Sequence, residues 1–312
     1  MKTFIQIAEV WTPSRDRSTL EHHDGLYGEH RQFARASRDL CFGYDEGLPG
    51  KAWASRQPVL LKDLQSSWFK RSEAAAAAGL SCAVAIPLFA GDFLLAVLVF
   101  FCGDDDQHVG AIELWRHDPD ISPGLKLSDG YFGIAESFEW VAQHTEFMRG
   151  FGLPGMAWQS EMPEILDDLG HSTRFVRRDD ARKLGITKGL ALPFLDQPGH
   201  DHVLTFLSAL GTPIARRFET WCPDETGSVL MFLSGACDVK PDFAATLATA
   251  TLDKNGSLLG QCWATGLPAM SQSIATENSA VGASAAAAGL DAMVAIPVIR
   301  QGQVRAIVAL YF

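Results

Sequence analysis

Positive charge is scarce in this chain of 312 residues: 26 Lys and Arg stand against 37 Asp and Glu, a formal net charge of −11 at pH 7. Nucleic acids and anionic membranes both select basic footprints, so neither is an expected partner. Apolar runs long enough to cross a bilayer are missing as well. The opening MKTFIQIAEVW takes up a glutamate and then polar residues where a signal peptide needs an unbroken apolar stretch. Cysteine is sparse, six in all, with no CxxC or metal-finger spacing, which speaks for reduced thiols and against a disulfide frame. A cytoplasmic location is therefore expected. P-loop, G-x-S-x-G and dinucleotide fingerprints are absent too, which removes the enzyme classes that depend on them.

What the chain does have is a long internal repeat. Trp53, Trp158 and Trp263 stand 105 residues apart, and so do Pro58, Pro163 and Pro268. Upstream, Phe33, Phe138 and Phe243 keep the same step. Around the tryptophans the text reads GLPGKAW, GLPGMAW and SLLGQCW. A period this long is that of a small domain and not of a solenoid repeat. Three homologous units are expected, at 1–105, 106–211 and 212–312, each large enough to bury a core of its own. The tryptophan of each motif is expected to anchor that core.

Within a unit, a short apolar strand ends on Trp (IAEVWTP, IELWRHDP, RFETWCP), and a polar turn and a second strand follow. A helix comes next, marked by apolar steps of three or four such as Phe33, Ala36, Leu40 and Ile134, Phe138, Val141. The glycines of GLPG suit a turn before a short helix that carries Ala-Trp. A Pro-led strand ending in Asp-Leu leads to a second helix, alanine-rich over Ser72 to Ala78, and Gly79, Gly185 and Gly289 stop it. Two apolar strands close the unit, CAVAIPLF with FLLAVLVFF in the first. This order implies an α+β domain, a mainly antiparallel sheet with helices on one face.

The combination of a Trp-Pro-ended strand, GLPGxAW, a Pro-led strand ending Asp-Leu, a Phe-x-Arg step, an alanine helix and V-A-I-P resembles the GAF domain. It is most similar to bacterial GAF domains that sense small molecules. The resemblance covers nearly all of 1–103 and most of 108–210, and is fainter over 213–312, so the third unit reads as a degenerate copy. It implies a five- or six-stranded sheet with a pocket between sheet and helices, and it carries no catalytic signature. One departure has consequences. The N- and C-terminal helices that usually bracket a GAF domain have no room here, because few residues separate one unit's last strand from the next unit's first. Yet the closing strands are apolar on both faces, so the bare faces are expected to be buried against one another or against a second chain.

The candidate ligand-binding residues are Asp63, Phe69 and Arg71, with Asp168, Phe175 and Arg177 as their counterparts. An arginine at a strand-to-helix entry can clamp an anion with two prongs. The plainer reading is a surface ion pair with Asp63 or Asp168. Val281 stands at the Arg71 position of the third unit, so no such site is expected there. His22-His23-Asp24 and His200-Asp201-His202 read as solvated hairpin turns, with no metal site suggested. Some GAF domains reduce free methionine sulfoxide, and others attach a bilin, through cysteine. Here no cysteine position recurs between units, and Cys82 and Cys102 lie in strands that read as core. The reading is a non-enzymatic GAF-type sensing or interaction module, with no catalytic residue and no cofactor assigned. Its partners would be a small-molecule ligand and an output protein in trans, with homo-oligomers left open. The alternatives are a thiol enzyme in the first unit and a scaffold whose pockets are filled by side chains.

Overall fold

The computed structural model describes residues 3–66, 68–103, 109–195, 200–209, 211 and 213–312. The expected unit boundaries at 105–106 and 211–212 fall on or beside residues outside those described. The first sheet-and-helix unit runs β1 (Ile5–Pro13), β2 (Thr19–Leu26), α1 (Arg31–Arg38), β3 (Cys41–Gly43), α2 (Gly47–Ser55), β4 (Val59–Leu61), α3 (Ser72–Ala77), β5 (Cys82–Ala90) and β6 (Phe93–Cys102). The second repeats it as β7 (Gly110–His117), β8 (Leu125–Tyr131), α4 (Glu136–Gln143), β9 (Glu146–Phe147), α5 (Gly152–Ser160), β10 (Glu164–Leu166), α6 (Arg178–Leu184), β11 (Ile186–Phe194) and β12 (Asp201–Ala209). The third has β13 (Arg217–Pro223), β14 (Leu230–Cys237), α7 (Phe243–Leu247), β15 (Thr251–Leu252), α8 (Leu258–Thr265), β16 (Ala269–Ser271), α9 (Ala280–Ala287), β17 (Met293–Arg300) and β18 (Gln303–Tyr311).

Each sheet has six strands in one order, β3-β2-β1-β6-β5-β4 in the first, and every pairing is antiparallel. The first hairpin of each unit pairs within its own sheet, so no strands are swapped. The GLPG segments are the first turns of α2 and α5 and not loops ahead of them. Space requires the second glycine of the motif. A Cβ on Gly50 would sit 2.2 Å from the Gly43 carbonyl oxygen, and one on Gly155 2.1 Å from that of Met148.

Period-two alternation divides the closing strands between two cores. On β6, Val97, Val99 and Phe101 face the helices of their own unit. Ala96, Leu98 and Phe100 face the other way, into one central core shared with Leu204 and Phe206 of β12 and with Val308 and Leu310 of β18. The three sheets thus cover one another's helix-free faces, in the place where bracketing helices would lie. Contact along the edges closes a ring: β4 packs on β8, β10 on β14, and β16 returns to β2. Ion pairs stitch the seams, Lys62 to Asp129 at 2.7 Å and Lys188 to Asp238.

Candidate functional site

The helix-facing side of each first strand carries a glutamate two residues before its tryptophan: Glu9 and Trp11, Glu113 and Trp115, Glu219 and Trp221. Residues two apart on a strand share a face. Each indole N–H therefore reaches its own glutamate, at 3.0, 3.0 and 2.9 Å. All six side chains are fully buried. A carboxylate so deep is stable only when paired and hydrogen-bonded.

The counter-ions are the arginines at the helix entries. Arg71, at the N-cap of α3, donates from Nη1 to Glu9 Oε1 and to Ser37 Oγ, each at 2.6 Å. The Tyr27 hydroxyl donates to the same Glu9 oxygen at 3.0 Å. Arg177, at the N-cap of α6, grips Glu113 with two prongs, 2.5 and 2.8 Å, and Thr205 Oγ1 donates to Glu113 at 2.9 Å. The third unit was expected to lack this arginine, and the Arg71 position there is indeed the buried Val281. Its guanidinium comes instead from Arg217 on β13, with Nε 3.5 Å from Glu219 Oε1 and Nη2 donating to Ser284 Oγ at 2.8 Å. Tyr311 donates to Glu219 at 2.7 Å. Burial pushes the Glu219 carboxyl above the usual carboxylate range, against the pull of Arg217, and pushes the Tyr311 phenol up as well.

Aromatic rings take the remaining surface of each guanidinium. Arg71 lies 4.7 Å from the Phe33 centroid and 4.9 Å from that of Phe101, Arg177 lies 4.4 Å from Phe138, and Arg217 4.0 Å from Phe243. Nε and Nη2 of Arg71 and Nε of Arg177 have no hydrogen-bond partner among the described residues, so ring faces stand where acceptors would. The phenylalanines of the Phe-x-Arg step, Phe69 and Phe175, belong to these shells, 5.6 and 5.5 Å from their arginines. Asp63 and Asp168 do not. Both are exposed: Asp63 accepts the Gln65 backbone N–H at 2.8 Å, and Asp168 faces His171 at 2.8 Å. The arginines pair with buried glutamates and not with these turn-forming aspartates. E-x-W, present in all three units as EVW, ELW and ETW, was the available sequence signal for the glutamates.

Two further expectations need correction, and a third, for the cysteines, agrees with the fold. The tryptophans of the Ala-Trp motif hold the same helical position but not the same surroundings. Trp158 and Trp263 are buried, whereas Trp53 is only partly so and meets the exposed Tyr44 edge-on at 5.3 Å. Two of the histidines are not in solvated turns. His22 lies in β2 with Nε2 2.6 Å from the Tyr27 hydroxyl, and His202 is buried in β12, where burial and then Arg116 and His200 bring its pKa down to about 4. Cys82 and Cys102 face each other across β5 and β6 inside the central core, as strand positions should. Cys41 is exposed, and burial pushes the Cys262 thiol up. Among the described residues, no cluster of three or more His, Cys, Asp or Glu is arranged to hold a metal, and no helix is long and apolar enough to cross a membrane.

Residues 3–120 match the family described as GAF domain, a span covering the first unit and the opening strand of the second. No curated protein matches the chain. Solved structures that resemble part of it include a Staphylococcus aureus NreA protein mutated in its nitrate binding site, at 16% identity, with 32% of this chain and 74% of that one covered and a TM-score of 0.27. A GAF domain/HD domain protein from Geobacter sulfurreducens matches at 16% identity, 32% and 63% coverage and a TM-score of 0.27. The free methionine-R-sulfoxide reductase of Neisseria meningitidis, in complex with its substrate, matches at 14% identity, 31% and 52% coverage and a TM-score of 0.25. With the family match over its first unit and the same strand order in all three sheets, the chain is a tandem array of three GAF-like units.

Proposed function

We propose that the array is a non-enzymatic binding module of GAF type, a sensing or interaction device whose output passes to a separate protein in trans. The observation that carries the non-enzymatic part of this reading is the state of the helix-side interiors. In every unit the helix-side interior holds a buried glutamate whose partners are the unit's own arginine, tryptophan and hydroxyls. A guanidinium already neutralised by a buried carboxylate has little charge left for an anion. Asp63, Phe69, Arg71, Asp168, Phe175 and Arg177 are thus assigned structural roles in this reading, the arginines as counter-ions and the aspartates as turn formers. The units 1–105, 106–211 and 212–312 act together in it, and a cytoplasmic location accords with it.

Thiol chemistry needs an accessible thiolate, and Cys82 and Cys102 are both core residues. Alkylation of the native chain with iodoacetamide at neutral pH, read by peptide mass spectrometry, tests the non-enzymatic reading. Exposed Cys41 is expected to label quickly, and Cys82 and Cys102 only after denaturation. Rapid native labelling at Cys82 or Cys102, with loss of a measurable reduction of free methionine sulfoxide, would replace the binding module with a thiol enzyme.

A further inference from the structure

The three seams of the ring are built from equivalent positions and closed by different side chains. At each seam, the residue five before the fifth-strand proline (Pro87, Pro193, Pro297) belongs to one unit. The residue three past a repeated second-strand glycine (Gly25, Gly130, Gly235) belongs to the next. At the second seam these are Lys188 and Asp238, a nearly buried ion pair with side-chain exposures of 10% and 7%. At the first they are Cys82 and Gly133, both small. The strand residue beside them is Tyr131, whose ring stacks on Phe4 at 5.8 Å.

At the third seam the equivalents are Ala292 and Gly28, and the residue in the place of Tyr131 is Leu26. Neither plug is present, and a cavity of about 490 Å³ stands there, bounded by Gly28, Leu26 and Ala292. A Cβ on Gly28 would meet nothing within 4 Å. Ile5 and Phe312 complete an apolar floor. Charges of both signs surround it: Asp291 and Glu29, each exposed and adjacent in sequence to the small residues, and Arg216, half-buried on the β13 side. The volume suits a small metabolite, and an apolar floor with a few polar groups is the usual make-up of such sites.

We propose that this third seam binds a small zwitterion with an apolar body, a free apolar amino acid. Its ammonium would meet Asp291 and Glu29, its carboxylate Arg216, and its side chain the Leu26, Ile5 and Phe312 floor. The two residues missing from this seam relative to the second are one cation and one anion, and a zwitterion supplies both in the same space. The site lies between units, away from the helix-side interior of any one of them. The inference rests on the reading of the chain as a binding module and adds where, and what, it binds.

Calorimetric titration of the full chain tests it, with L-phenylalanine and L-leucine as probes and phenethylamine and 3-phenylpropionate as single-charge controls. The amino acids are expected to bind at one site, with each control about tenfold or more weaker. The Gly28→Asp/Ala292→Lys double variant installs the second seam's ion pair. Gly28 has a φ of 51°, so the aspartate adds backbone strain, and the variant is expected to weaken amino-acid binding about tenfold or more in a chain that still unfolds cooperatively at a slightly lower thermal midpoint. Leu26→Tyr, which brings in the first seam's ring, is the second variant should the first fail to fold, and the same loss is expected. Equal binding by the wild type and a folded refilled variant would overturn the site, and equal binding of a control would overturn the zwitterion. Absence of amino-acid binding, while native mass spectrometry finds another small molecule retained, would overturn this inference and leave the binding module standing.

Discussion

At the residue scale, the three buried glutamates set the terms for everything around them. Each needs a positive partner inside its own unit, and the chain supplies it by two routes. Two units send an arginine from a helix N-cap, 62 and 64 residues downstream, and the third places it on the same strand, two residues upstream. Removing the cation leaves a desolvated carboxylate, the costly half of a buried pair. Arg177→Met is therefore expected to destabilise the chain by about 3–5 kcal/mol in urea denaturation. Adding Glu113→Gln to that variant should recover most of the loss, because a neutral amide oxygen still accepts from the Trp115 indole N–H. If the double variant is no more stable than the single, the ion pair does not carry the coupling argued here.

At the element scale, helices α2, α5 and α8 begin with their first turn pressed against the loop before it. The glycine in that turn is a matter of contact distance: Gly155 would place a Cβ 2.1 Å from a carbonyl oxygen that belongs to backbone and cannot swing aside. Gly155→Ala is expected to lower stability by about 1–3 kcal/mol, as overpacking does, and thermal unfolding reads it. Gly79 differs, with a positive φ of 66° but open space around its Cβ. Gly79→Ala is a backbone-strain change, expected near the lower end of that range, about 1 kcal/mol. Equal losses at both positions would show that contact with the Met148 carbonyl does not govern the first. Helical position alone was a poor guide to burial in these elements: Trp53 and Trp158 occupy matching places on α2 and α5, and only Trp158 is sealed, with its indole N–H on Asp201 at 2.8 Å.

At the scale of the whole molecule, three sheets meet on one core, and the ring makes each unit part of its neighbours' folding. Phe100 of the first sheet lies 6.3 Å, edge to face, from Phe206 of the second. A unit alone would expose Val84, Ile86, Leu98 and Phe100 together, a contiguous apolar face larger than soluble monomers tolerate. Residues 1–105 expressed alone are expected to aggregate or self-associate, while the full chain melts in one transition. A fragment that is monomeric by ultracentrifugation and melts at the temperature of the full chain would show that the units are independent beads.

Much of this was legible in the sequence because it is encoded locally. The repeat of Trp53, Trp158 and Trp263 announced three copies, and strand and helix periods over ten residues announced their elements. Apolar residues on both faces of FLLAVLVFF announced that both faces are covered. Pairings between distant residues carry no such period. The sequence marks Arg71 as an arginine at a helix entry. Only the fold brings it to Glu9 and leaves the nearer Asp63 in solvent, because the carboxylate beneath a helix layer is chosen by which strand lies at the sheet's centre. Likewise, nothing local distinguishes Lys188 from Ala292 as closing or opening a seam. That difference exists only once one unit's strand end meets the next unit's hairpin, since a cavity is made by the walls on both of its sides.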